Sequence, residues 1–270
     1  MTRTRDRRGS VRCRVAAGLA GVLVLVGAAA APASAAPQAQ LVTEDEAPSA
    51  AQQGVARIPG GWIMSGTVWL ARTDEHLKVV VEKPGPIPIE WRRKGFNHVG
   101  DVDVVGKYVY VPFEQPSYER GDQAMARYNR RTLAFVDAVG VAQHENSFVT
   151  VDPKTMTAYS MDRFGGDALL RYDVRKGWKP LPPLALSRTL DRVQGADVAD
   201  GAVWLSTSDD TNELFRVDLA TGQVDDLGSA GHLGGEGEGI DATRLASGRI
   251  HTVTVDPARN PVWFGHFSVG

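Results

Sequence analysis

The sequence predicts an all-β fold, a five-bladed β-propeller with four-stranded antiparallel blades, on three observations. Similar openings recur at Gln53, His98, His144, Gln194 and Glu238, spaced 45, 46, 50 and 44 residues apart, the period of propeller blades. One pattern, an apolar pair, Arg, an apolar residue or Thr, then Asp or Asn, appears at 70–74 (LARTD), 125–129 (MARYN), 169–173 (LLRYD) and 214–218 (LFRVD). Apolar periodicity of the helical kind is nearly absent, with a turn or two over 184–192 as its best candidate.

In chain order, residues 1–35 read as a signal peptide. Six arginines fall between Arg3 and Arg14, an uncharged apolar run covers 15–31, and Ala33-Ser34-Ala35 supplies a small-x-small cleavage pattern. The Arg7-Arg8 pair leaves general and twin-arginine export both open. Cleavage removes six arginines and Asp6, so Lys+Arg falls from 30 to 24, Asp+Glu from 32 to 31, and the net charge from −2 to −7. An acidic, secreted chain without further apolar spans argues against nucleic acid and membrane partners. The sole cysteine, Cys13, leaves with the leader, so packing rather than disulfides must hold the mature chain, expected to be a monomer.

Residues 36–52, rich in Ala, Pro, Gln and Glu, read as a disordered linker. The propeller domain is expected over 53–270. The clearest unit is the fourth: a strand from Gln194, a tight turn at Asp200-Gly201, a strand over 202–206, a polar loop, the LFRVD strand, and a Thr221-Gly222 turn into an outer strand. Residues 82–97 (EKPGPIPIEWRRKGFN) are expected to be an extended connection. The fifth unit stops at Gly270 without a fourth strand. Either that blade is short or the segment before Gln53 completes it, and closure would remove exposed sheet edges.

In a propeller, first strands line the axis, so the five openings converge on one mouth. There they bring Gln53, His98, Asp101, His144, Gln194, Glu236 and Glu238 together, a mixture suited to a divalent-cation or acid–base site. The run 234–239 (GGEGEG) is the most unusual segment, with glycines allowing close backbone approach beside two carboxylates. His98 and His144 look equivalent when their blades are aligned, which favours a shared role. Asp101 and Asp103 alternate on one strand, and a second reading makes them staples that bond neighbouring backbone amides. The chain has no Gly-x-Ser-x-Gly elbow, no phosphate-cradling Gly-Lys-Ser/Thr loop and no His-Glu-x-x-His.

The blade texture resembles the lactonase-like and quinoprotein-like repeat families, whose lactonase-like members hold a divalent cation on the channel axis. Gln53-Gly54 and Glu-Gly-x-Gly at Glu236 also resemble the plant-type glutaminyl cyclotransferases, which have five blades too. These readings yield three functional expectations. The first is a metal-assisted hydrolase of a small ester or lactone. In it Glu238, Gln194 and Asp101 hold one divalent cation, calcium among the candidates, and His98, His144 and Glu236 move protons. The alternatives are a non-enzymatic propeller that binds a glycan, peptide or protein, and an aminoacyl cyclotransferase.

Overall fold

A computed structural model describes residues 38–230, 235–256, 258 and 261–270. The expected leader, Gly234 and His232 lie outside them. The described chain begins with β1 (Ala39–Ala47) and then lays down sheets in sequence. Blade one holds β2 (Gly54–Ile58), β3 (Gly61–Gly66), β4 (Trp69–Asp74) and β5 (Val79–Pro84). Blade two holds β6 (His98–Val99), β7 (Asp103–Val105), β8 (Tyr108–Glu114), β9 (Gln123–Asn129) and β10 (Phe135–Val141), with β6 and β7 sharing the inner-strand position. Blade three holds β11 (Thr150–Val151), β12 (Thr157–Ser160), β13 (Gly166–Asp173) and β14 (Lys179–Leu190). Blade four holds β15 (Val193–Ala199), β16 (Ala202–Thr207), β17 (Glu213–Asp218) and β18 (Val224–Ser229). Blade five holds β19 (Glu236–Asp241), β20 (Arg249–Val255) and β21 (Val262–Val269), and its outer strand is β1. The molecule is therefore the five-bladed propeller that the repeats predict.

The recurring strand pattern has a local cause. In blades two and four its arginine reaches an acid on the outer strand, Arg127 to Asp137 and Arg216 to Asp225, whereas Arg72 of blade one donates to Arg131 O of blade two. Its terminal Asp or Asn starts the next turn by accepting backbone N–H bonds: Asn129 from Arg131 and Thr132, Asp218 from Ala220 and Thr221. The Asp200-Gly201 turn has positive φ at both residues, 49° and 75°, the two-residue hairpin geometry that matches strand twist.

Three expectations are corrected. Residues 39–47 are not a linker: β1 pairs antiparallel with β21 from Ala39↔Val269 to Ala47↔Val262 and closes the ring. Its polar composition disguises a strand with only one buried end, at Ala47, and an ion pair from Asp45 to His266. Residues 184–190 are not helical but belong to β14, where Ser187 donates its N–H to Gly222 O and accepts from Val224 N, tying blade three to blade four. The Pro-rich connection contains a helical turn, α1 (Ile89–Arg92).

Successive residues of a strand face opposite neighbours. Val109 and Val111 pack toward blade one with Ile63 and Leu70, whereas Tyr110 packs toward blade three with Tyr172 and Trp178. Among the described residues there are five apolar wedges, one between each pair of adjacent blades.

On the axis the packing is polar. Asp101 sits between β6 and β7 and is 1% exposed. Its Oδ1 accepts from Val55 N and Val102 N at 2.9 Å, and its Oδ2 from Ala196 N at 3.0 Å and Ile240 N at 3.3 Å. Its own N–H donates to Ser147 O and its carbonyl accepts from Val149 N, both in the segment leading into blade three. Three of the four donors directly follow Gly54, Gly195 and Gly239. A Cβ on Gly54 or Gly239 would meet Asp101 Oδ1 at about 2.5 to 2.6 Å, so glycine is what lets these backbones reach the carboxylate. A second ring passes from blade to blade: Val151 N to Asp103, Val198 N to Thr150, Ala242 N to Asp197 and Arg57 N to Asp241. Asp103 is the staple that the second sequence reading describes.

Replacing Asp101 by Asn turns one acceptor oxygen into a donor facing two buried N–H groups. It should cost about 2–5 kcal/mol, read as a lower midpoint in denaturant melts with the slope unchanged. Deleting 38–47 should expose the β21 edge, lower the melting temperature and promote association by light scattering.

Candidate functional site

Because first strands run away from the mouth, the residues just before the axial ring come together on one face. Gln53 opens blade one, His98 begins β6, Glu114 ends β8, Gln194 lies in β15, and Glu236 and Glu238 begin β19. His98 is fixed on both sides: Nδ1 lies 2.9 Å from Glu114 Oε2 and Nε2 lies 2.6 Å from Gln53 Oε1. Gln53 Nε2 donates to Gln52 O, which turns its amide oxygen toward the ring. The other Glu114 oxygen accepts from Asn146 N at 3.0 Å. His98 and Glu114 line a cavity of about 250 Å³ with Thr67, Asn97, Pro116 and Tyr118. Burial, then the charges of Glu114 and Glu145, push the Tyr118 hydroxyl up.

Glu238 differs from every other acid on the axis. It is 2% exposed, and among the described residues no backbone N–H is directed at its carboxylate. Burial first, then the carboxylate of Glu236, push its pKa well above the ordinary 4.5, and Arg163 partly offsets them. Burial and the neighbouring carboxyl group both favour its protonated form. Register shifts between Gly237 and Ile240 against β20, and this bulge brings Glu238 to the axis. Gln194, on the neighbouring blade, is 7% exposed and takes no side-chain hydrogen bond among the described residues. Arg163, in the loop after β12, has a buried Nε without a partner and a single 3.4 Å bond from Nη2 to Ser208 Oγ. The mouth therefore holds a buried acid, a free amide and an under-used guanidinium.

His98, Gln194, Glu236 and Glu238 all stand at blade openings, and two other expected site residues stand elsewhere. His144 is on the outer rim, exposed, with Nδ1 2.8 Å from Tyr118 O. The apparent equivalence fails on phase: His98 is three residues before Asp101, but His144 is four before Phe148, which bridges Asp101 across the axis. One residue of offset sends a strand side chain to the opposite face. Glu145 stands at the inward position, buried and accepting from Phe164 N. Asp101 is not a ligand, since both oxygens are taken by backbone amides. Among the described residues no three His, Cys, Asp or Glu side chains are grouped to hold an ion. Glu114, Glu145 and Arg163 are placed at the mouth by sequence reading but given no catalytic or ligand role there. Their signal was position in loops that the blade repeat places at the mouth.

No protein-family model matches this chain, and no curated protein sequence matches it. Among solved structures it is similar to a glutaminyl cyclase from Myxococcus xanthus, with a TM-score of 0.65 and 14% identity over 88% of this chain and 100% of that one. It also aligns with a hydrazine synthase from Kuenenia stuttgartiensis, with a TM-score of 0.42 and 14% identity over 76% of this chain and 65% of that one. At this identity the likeness to the cyclase shows a common fold.

The raised Glu238 pKa has a consequence for stability. Above the ordinary value of 4.5 the folded state keeps a proton that the unfolded state gives up, so stability falls as pH rises toward the folded value. Glu238→Gln imitates the protonated acid and should raise the melting temperature, with a gain near zero at about pH 4 and largest at about pH 8. Equal gains at both would contradict the assignment.

Proposed function

We propose that this chain is an acid–base acyl-transfer enzyme acting at the channel mouth, and that its reaction is the cyclisation of an N-terminal glutaminyl residue. The observation that carries the reading is Glu238, a 2% exposed acid whose pKa burial raises and at which, among the described residues, no backbone N–H is directed. The cyclase-like fold and the Gln-Gly and Glu-Gly-x-Gly openings support it. The metal-assisted hydrolase expected from sequence has no gathered donor set behind it, and no step here runs through a metal.

In this reaction the α-amine attacks the side-chain carboxamide carbon, the new C–N bond closes a five-membered ring, and the C–NH₂ bond breaks to release ammonia. Glu238 donates its proton to the departing nitrogen. Glu236 takes the proton from the attacking amine, and transfer between the two carboxyls restores the starting state. Gln194 has an uncommitted amide with which to bind the substrate carboxamide. Arg163 supplies positive charge where the carbonyl oxygen becomes negative. The 250 Å³ cavity beside His98 has room for a single residue, and the open mouth lets a peptide continue into solvent. The basic, apolar and Ala-Ser-Ala pattern of residues 1–35 supports an exported enzyme.

The test is to incubate the purified protein with peptides that begin in Gln and to follow ammonia release and mass loss. Glu238→Gln should lower kcat by about 10²–10⁴-fold with little change in KM, whereas His144→Ala should stay within about twofold of wild type. Activity should decline as pH rises through the raised Glu238 value, because the acid must be protonated. Absence of turnover on glutaminyl peptides, with binding retained, would show the mouth to be a recognition site instead.

A further inference from the structure

On the face opposite the mouth, a cavity of about 340 Å³ opens between blades five and one. Three arginines, Arg57, Arg244 and Arg249, and two histidines, His251 and His266, line it together with Trp62 and Glu75. Its wall is a departure from the repeat. Blade four joins its first two strands by the Asp200-Gly201 turn, whereas blade five uses 242–248, with a helical turn at Leu245–Ser247 and Gly248 at φ 68°. The loop folds back until Arg249 N donates to Arg244 O at 3.3 Å, so both arginines leave one tight bend. Among the described residues neither side chain has an ion pair or hydrogen bond. Arg57 lies over Trp62, its guanidinium 4.5 Å from the ring, and bonds Glu75 Oε1 at 2.8 Å.

The floor carries a second, independent sign of a missing partner. His251 is 3% exposed, stacked on Phe264 and edge-on to Trp62. Its buried Nδ1 makes no hydrogen bond, and the nearest acid, Asp241 Oδ1, is 3.7 Å away. Asp241 is already committed to Arg57 N and to Thr243. Burial lowers the His251 pKa and Asp241 opposes it. Glu75, with 58% of its side chain exposed, is a carboxylate already seated on one of the arginines, which shows the chemistry this cavity accepts.

We propose that this cavity is a second binding site, for a small oxyanion bearing a carboxylate or phosphate group, held by Arg57, Arg244 and Arg249 over the imidazole of His251. Asp101 closes the axis between the two faces, so such a ligand is not the mouth's substrate arriving by another route. The inference stands whether or not the mouth cyclises glutaminyl peptides.

The test titrates the purified protein with inorganic phosphate in one arm and acetate in the other, at constant ionic strength against chloride. It follows the His251 and His266 side-chain NMR signals. Saturable one-site shifts are expected, and the tighter arm identifies the group. Arg244→Gln and Arg249→Gln, both at exposed positions, should each weaken binding by about tenfold. Glu75→Gln should strengthen it severalfold by removing the internal competitor. Shifts linear in ion concentration in both arms, or equal affinity in wild type and both arginine variants, overturn the proposal.

Discussion

Asp101 accepts N–H bonds from blades one, two, four and five and takes its backbone partners from the segment leading into blade three, so all five sheets meet at one residue. A ring of strands around an axis has no apolar material to fill its centre, because inner strands present backbone there. Water or a polar plug must satisfy those groups. Here a single carboxyl does so, and three glycines let the strands come near enough to reach it. The apolar wedges between blades then hold the sheets at the angle that this central contact requires. The same plug divides the molecule, leaving a mouth on one face and an arginine-lined cavity on the other.

Asp101 and Glu238 illustrate how supply of donors separates structure from chemistry. Both are nearly inaccessible, and burial raises both. Four amides converge on Asp101 and spend it. Among the described residues none converges on Glu238, which instead faces another carboxyl group and the Arg163 guanidinium. A buried acid without such partners costs stability, and a fold retains that cost most readily where the group acts on a ligand.

Much of this architecture was legible in the sequence because its causes are local. The terminal Asp or Asn of the patterned third strands bonds within a few residues, and in blades two and four the Arg bonds the adjacent strand, so the repeat announces the blade. Closure was legible only as one of two alternatives, since β1 is read as a strand only through β21, more than two hundred positions later. His144 was misplaced for a related reason: blade alignment by composition cannot detect a one-residue change of phase, and phase alone decides which face a side chain takes. Glu238, Gln194 and His98 stand out in the sequence because they fall at blade openings, whereas the role of Asp101 depends on which opening reaches the amides of the other blades. Arg163 gave no motif, and its interest lies in donors left unspent.

The most direct measurement of the central contact is native-state hydrogen exchange at the amides of Val55, Ala196 and Ile240. If one carboxyl joins the blades, these three protons exchange only when the whole ring opens, with a common free energy equal to that of global unfolding. Exchange that is fast, or that differs among the three by orders of magnitude, would contradict the account and show the axis to be a wet channel in which each blade opens alone.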